Sequence, residues 1–123
     1  MSEKDSITTS VEQRDEITLL KVGDVVDLAT ASVLEEAIDG VLAQNPKALI
    51  IDLSAVTFLA SVGLRLLVST HEKIGGAAEF AVVANGPVTS RPIQLTKLDE
   101  VFSLYPTLDE ALTEVRSRLR GGE

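Results

Sequence analysis

The stretch Phe58-Leu59-Ala60-Ser61-Val62-Gly63-Leu64 sets a single serine at the seam between an apolar, strand-like run and a helix. Upstream, Lys47 to Leu53 reads KALIIDL, a short β-branched run bounded by Pro46 and by Ser54-Ala55. Downstream, Leu64, Leu67, Val68, His71 and Ile74 recur at helical spacing. The pattern predicts Ser61 as the N-cap of that helix. Backbone N–H groups lack partners there and the helix dipole is positive, so a phosphoryl group on the serine would be tolerated locally. A position that tolerates phosphate can act as a switch. Most N-cap serines do nothing but cap, however, so the rest of the chain has to decide.

Other chemistries are poorly supplied. The 123 residues contain no Cys and one His, which removes disulfides, thiolate catalysis, Cys-ligated zinc and a His-rich metal site. No second His or Cys is present to complete a nucleophilic triad around Ser61. Ala60-Ser61-Val62-Gly63 also lacks the leading glycine of the G-x-S-x-G elbow. His71 falls on the predicted core face of its helix and reads as a packed imidazole. Asp52, inside an apolar strand ahead of the serine, reads as an acceptor of backbone hydrogen bonds rather than a metal ligand. Gly75-Gly76 serves a turn and is unlike a phosphate-cradling loop. On a helical wheel Leu64, Leu67, Val68, His71 and Ile74 face one side, while Val62, Arg65, Leu66, Ser69 and Lys73 face the other, so Val62 and Leu66 are expected to be exposed. Exposed aliphatics beside a candidate modification site suggest a partner surface.

The elements that position Ser61 follow from periodicity. Ile7 to Gln13 and Ile17 to Val22 flank the polar Arg14-Asp15-Glu16 and predict a hairpin. Residues 1–6 are expected to form a disordered tail. Asp24 to Asp27 reads as an acidic connection. Leu34, Ala37, Ile38, Val41 and Leu42 then predict a helix, with Ser32 and Glu35 as its capping box and Asn45-Pro46 as its stop. Glu79 to Ala84 is a continuous apolar strand, followed by the turn Asn85-Gly86-Pro87. A short helix is expected between Pro87 and Leu98, irregular or late-starting because of Pro92. Val101 to Tyr105 adds a short strand. Leu108, Ala111, Leu112, Val115 and Leu119 stripe a last helix, with Thr107 and Glu110 as capping box and Arg116, Arg118 and Arg120 at its C-terminal end. The order is β-β-α-β-α-β-α-β-α, an α/β fold with a mixed sheet of four to five strands and about four helices.

Length and charge bound the function. One domain with one core is expected from 123 residues, and no repeats or low-complexity linkers divide it. A formal charge of −8 repels nucleic acid and anionic lipid, which leaves protein or small-molecule partners. No apolar run approaches the roughly 20 residues of a membrane span, and the polar start lacks the regions of a signal peptide, so a cytoplasmic protein is expected.

These residues resemble a known family, the bacterial anti-sigma factor antagonists or STAS domain, over nearly the whole chain. The central match is Ile51-Asp52-Leu53-Ser54-Ala55-Val56-Thr57-Phe58-Leu59-Ala60-Ser61-Val62-Gly63-Leu64, similar to the family's strand, loop and phosphorylatable serine followed by Gly-Leu. Asp27-Leu28-Ala29-Thr30-Ala31, Gly75-Gly76 and Leu95-Thr96-Lys97-Leu98-Asp99-Glu100-Val101-Phe102 support it. The resemblance implies a non-enzymatic module without cofactor or metal, a monomer or weak dimer. It would bind an anti-sigma factor with serine kinase activity, be phosphorylated by it at Ser61, and be reset by a serine phosphatase. Carried onto this chain, the partner-binding residues are Asp24, Asp27, Ala60, Ser61, Val62, Gly63, Arg65, Leu66 and Ser69. Three positions depart from the family pattern. Ala60 stands where Asp is common, Asp24-Val25 where Gly-Glu is usual, and Lys97 where Gly is frequent. The middle departure means either a one-residue shift of the loop or the loss of an acidic contact. A second reading keeps the fold but makes the chain a STAS scaffold or sensor subunit that binds a nucleotide or small ligand.

Overall fold

The computed structural model describes residues 6–121. The tail expected over residues 1–6 lies outside the described residues except for Ser6, which is exposed. The chain runs β1 (Ile7–Arg14), β2 (Ile17–Val26), α1 (Ala31–Leu42), β3 (Ala48–Leu59), α2 (Ser61–Ile74), β4 (Glu79–Val83), α3 (Ser90–Leu95), a 3-10 turn (Leu98–Glu100), β5 (Ser103–Tyr105) and α4 (Leu108–Gly121). This is the expected order, with five strands in one mixed sheet arranged β1-β2-β3-β4-β5. β1 pairs antiparallel with β2, and every later pair is parallel.

Strands laid down in sequence order by right-handed crossovers place their connecting helices on one face. The packing agrees. Leu34, Ile38 and Val41 of α1, Leu67 and Ile74 of α2 and Ile93 of α3 share one core with Leu20, Val22, Leu49, Ile51, Leu53, Phe80 and Val82. Alternate residues of the same strands, Ile17, Leu19, Ala48, Ile50, Ala81 and Val83, pack under Ala111, Leu112 and Val115 of α4. Being covered on both faces explains why β3 and β4 read as unbroken apolar runs. At the hairpin, Arg14 Nε donates to Glu12 Oε2 at 2.7 Å, and this bond holds the Glu12 carboxyl below the ordinary carboxylate range.

Several expected boundaries move. β3 does not stop at Leu53 but continues to Leu59, because β2 also runs on to Val26 and supplies backbone partners up to Val26↔Leu59. Register shifts between Lys21 and Gly23 and between Asp24 and Val25 absorb the polar Ser54-Ala55 segment. Asp24 therefore belongs to β2, and only Asp27 lies in the connection. Asp24 takes φ of 68°, a left-handed conformation that glycine holds at least cost, so the chain keeps a glycine-like backbone there without glycine.

The Ser32–Glu35 capping box is not formed. α1 starts at Ala31 with Thr30 as N-cap, so Ser32 and Glu35 lie within the helix. The second box is half present, since the Glu110 amide donates to Thr107 Oγ1 at 3.1 Å. Pro92 is the third residue of α3, in the first turn, where a helix has no intrahelical use for its N–H.

Candidate functional site

The parallel strands β2 to β5 end on the same side of the sheet, and the candidate residues collect where β2 and β3 end. β3 is the central strand, and one residue, Ala60, separates it from α2. The Ala60 amide donates to the Val26 carbonyl at 2.8 Å, which ties the start of α2 to the end of β2. Asp27 leaves β2 at that point. Its Oδ1 accepts from the amides of Ala29 at 2.9 Å and Thr30 at 3.1 Å. Thr30 Oγ1 accepts from the Asp27 amide at 3.0 Å and donates to the Val25 carbonyl at 2.9 Å. The β2–α1 turn is thus closed by reciprocal side-chain bonds. Asp27 is spent on this turn and is half-buried, as is Asp24.

Ser61 is exposed, but it is not the N-cap. Ala60 takes that position in an extended conformation (φ −84°, ψ 169°), and Ser61 is the first helical residue. The shift has a physical cause: Ala60 is still held in extended geometry by Val26, so helical dihedrals begin one residue later. Alanine provides no side-chain cap, and the first turn of α2 carries no acidic residue. The positive end of this fourteen-residue helix therefore carries no anionic side chain in its first turn.

Gly63 is buried beneath the turn. A Cβ there would lie 2.5 Å from Leu59 Cδ1 and 2.8 Å from Val26 Cγ1, so glycine is what lets α2 approach the ends of β2 and β3. The wheel of α2 is rotated from expectation. The buried stripe is Gly63, Leu67, Thr70 and Ile74, and His71 is exposed. Thr70 supplies the reason: its Oγ1 donates to the Leu66 carbonyl at 2.7 Å, so a polar residue enters the core with its hydroxyl satisfied. Leu64 and Val68 are half-buried. Val62 and Leu66, expected to be exposed, are half-buried too, and Leu66 packs against the core. Arg65 is exposed and Ser69 half-buried, four and eight residues after Ser61 on one side of the helix. Exposed Leu28 and Phe58, which the sequence patterns did not single out, stand beside this cluster.

The arrangement offers little for catalysis. His71 lies ten residues along α2 from Ser61, roughly 15 Å, beyond the reach of a general base. Asp52 is buried, and its Oδ1 accepts from the Ser54 amide at 2.9 Å and from Ser54 Oγ at 2.6 Å, the expected structural role. Among the described residues no group of three His, Cys, Asp or Glu could hold a metal ion. A cleft of about 400 Å³ lined by His71, Phe80, Phe102 and Arg118 lies at the opposite end of α2 from Ser61. No helix among the described residues is long and apolar enough to cross a membrane.

What the site does offer is a protein surface with an exposed hydroxyl at Ser61, and the comparisons place the chain in a family. The model of the STAS domain matches residues 8–111, and the chain belongs to the STAS domain family. Within it, the chain is 55% identical over 116 residues to the anti-sigma-F factor antagonist RsfB of Mycobacterium tuberculosis, covering 94% of this chain and 95% of that protein. The crystal structure of an anti-sigma factor antagonist from Mycobacterium paratuberculosis superposes with a TM-score of 0.90 at 56% identity, covering 94% of this chain and 99% of that one. The antagonist SpoIIAA in its unphosphorylated form shares the fold, with a TM-score of 0.73 at 17% identity over 89% of this chain and 97% of that one.

Proposed function

We propose that the protein is an anti-sigma factor antagonist, a non-catalytic module that binds an anti-sigma factor of the serine kinase type and thereby frees a sigma factor. Phosphorylation of Ser61 by that partner ends the complex, and a serine phosphatase restores it. The reading rests on Ser61 itself, an exposed hydroxyl on the first residue of α2, with no side chain capping that helix end. The similarity to anti-sigma factor antagonists supports the choice of partner.

The switch is energetically undemanding. A phosphoserine carries about −1.5 to −2 charges at neutral pH. In the free protein that charge meets water and the positive end of α2; in the complex the partner has to desolvate it. A hundredfold loss of affinity needs only about 2.8 kcal/mol, at roughly 1.4 kcal/mol per tenfold, and an unpaired buried charge costs more than that. The sensor alternative is less favoured, because the strand order runs β1 to β5 without reversal and so makes no crevice of the kind that holds nucleotides in open α/β sheets.

The test is incubation with ATP and the purified anti-sigma-F factor of Mycobacterium tuberculosis, the target named for the relative above, read by intact mass. The mass should rise by one phosphate in the wild type and stay unchanged in Ser61→Ala. A phosphate gained by Ser61→Ala as readily as by the wild type would contradict the assignment.

A further inference from the structure

We propose that Leu28 and Phe58 are the apolar anchors by which this domain holds the anti-sigma factor, with Ser61 beside them as the point of release. The inference rests on the function proposed above and adds to it which side chains carry the affinity.

Leu28 is 81% exposed and Phe58 53%. Single exposed aliphatics are ordinary on any domain, so exposure alone decides nothing. Three observations separate this pair from the rest. First, both stand next to the Val26–Ala60 hydrogen bond: Leu28 lies two residues after Val26, and Phe58 two residues before Ala60. Second, Leu28 sits in the turn closed by Asp27 and Thr30, so it is presented to solvent by a turn already ordered. A side chain on a preordered turn loses little backbone entropy on binding. Third, Phe58 is directed away from the helices. Val26 and Leu59, paired in register, both enter the core under α1 and α2, whereas the neighbouring pair Val25 and Phe58 falls on the other side of the sheet. α4 covers that side mainly over β4 and β5, leaving the end of β2 and β3 open.

The geometry also selects the occupant. An ordinary interface buries about 800 Å² on each partner, a patch with a radius of roughly 16 Å. Phe58 is three residues from Ser61, within about 11 Å, and the path from Ser61 through Ala60 and Val26 to Leu28 is at most roughly 18 Å, shorter through space. Both positions therefore lie within the radius of an ordinary interface that docks over Ser61. Aromatic and large aliphatic groups desolvated near the centre of a patch carry most of its binding energy. The charged groups nearby are Asp24, Asp27 and Arg65, in a chain of charge −8, so the matching surface on the partner is an apolar socket with basic groups opposite the two aspartates.

The experiment titrates Leu28→Ser and Phe58→Ser calorimetrically against the purified anti-sigma-F factor of Mycobacterium tuberculosis. Val11→Ser serves as control, being 57% exposed on β1. Each anchor variant should bind at least tenfold more weakly than the wild type while the control binds normally. Leu28→Ser, the more exposed change, should melt with the wild type, so it carries the test if Phe58→Ser lowers the melting temperature. Leu28→Ser binding within twofold of the wild type, or Val11→Ser losing as much as the anchors, would overturn the anchors and leave the proposed function standing. Failure of the wild type to bind at all would overturn that function and the anchors together.

Discussion

The Ala60 amide and the Val26 carbonyl meet at 2.8 Å, and this one bond sets where Ser61 stands. It carries the extended geometry of β3 one residue past Leu59, delays the helix to Ser61, and brings the Asp27 turn alongside. Ser61 is presented by a junction of two parallel strands rather than by a loop free to move.

Gly63 is what allows that junction to close. In an ordinary helix Gly→Ala gains about 1 kcal/mol, but here the new methyl would sit 2.8 Å from Cγ1 of Val26, which is fully buried. Gly63→Ala should destabilise the domain by about 1–3 kcal/mol, the usual range for overpacking. Thermal unfolding followed by circular dichroism should show a melting temperature several degrees lower. A value equal to or above wild type would mean that α2 can withdraw without cost.

Ala60 leaves a gain in stability unused. An aspartate at the N-cap accepts a hydrogen bond from the second or third amide of the helix and meets the positive end of its dipole. Ala60→Asp should therefore stabilise the unmodified domain by about 1 kcal/mol. Denaturant unfolding should show a higher midpoint at unchanged slope. A lower midpoint would show that the extended Ala60 backbone cannot point a carboxylate at α2.

The rotated face of α2 changes which substitution probes the proposed partner surface. Leu66 packs against the core, so Leu66→Asp should cost the fold about 2 kcal/mol or more and lower the melting temperature. Arg65 is exposed four residues after Ser61, and Arg65→Glu should leave melting nearly unchanged while altering anti-sigma binding. If Leu66→Asp melts with the wild type, the side chain is not part of the core.

Element type and order were legible in the chain because the apolar periods are clean: two-residue spacing or continuous runs in the strands, and 3.6-residue stripes in α1, α2 and α4. What the patterns missed were exchanges between local and tertiary forces. The apolar run KALIIDL ends at Ser54-Ala55, yet pairing with an extended β2 carries β3 through these residues to Leu59. His71 fits an apolar period by position, but Thr70 takes the buried place because its hydroxyl can bond the Leu66 carbonyl within the helix, an option no wheel displays. Asp24 and Lys97 adopt φ of 68° and 62°, left-handed values at which local preference would place glycine. The exposure of Leu28 has no signature in the apolar pattern, because a leucine inside a turn matches no period at all. Ser61 stands at the strand–helix seam that the apolar runs mark, and its displacement from N-cap to first helical residue follows from the Val26–Ala60 bond, a contact between segments thirty-four residues apart.

The most direct test of the account is calorimetric titration of the purified anti-sigma-F factor of Mycobacterium tuberculosis with three forms of the protein: unmodified, phosphorylated at Ser61, and Ser61→Glu. The unmodified protein should bind and the phosphoprotein should bind at least a hundredfold more weakly. Ser61→Glu should fall between them, because one carboxylate brings less charge and fewer acceptor oxygens than a phosphate. Equal affinity of the phosphorylated and unmodified forms would contradict the switch and leave a constitutive binder in its place.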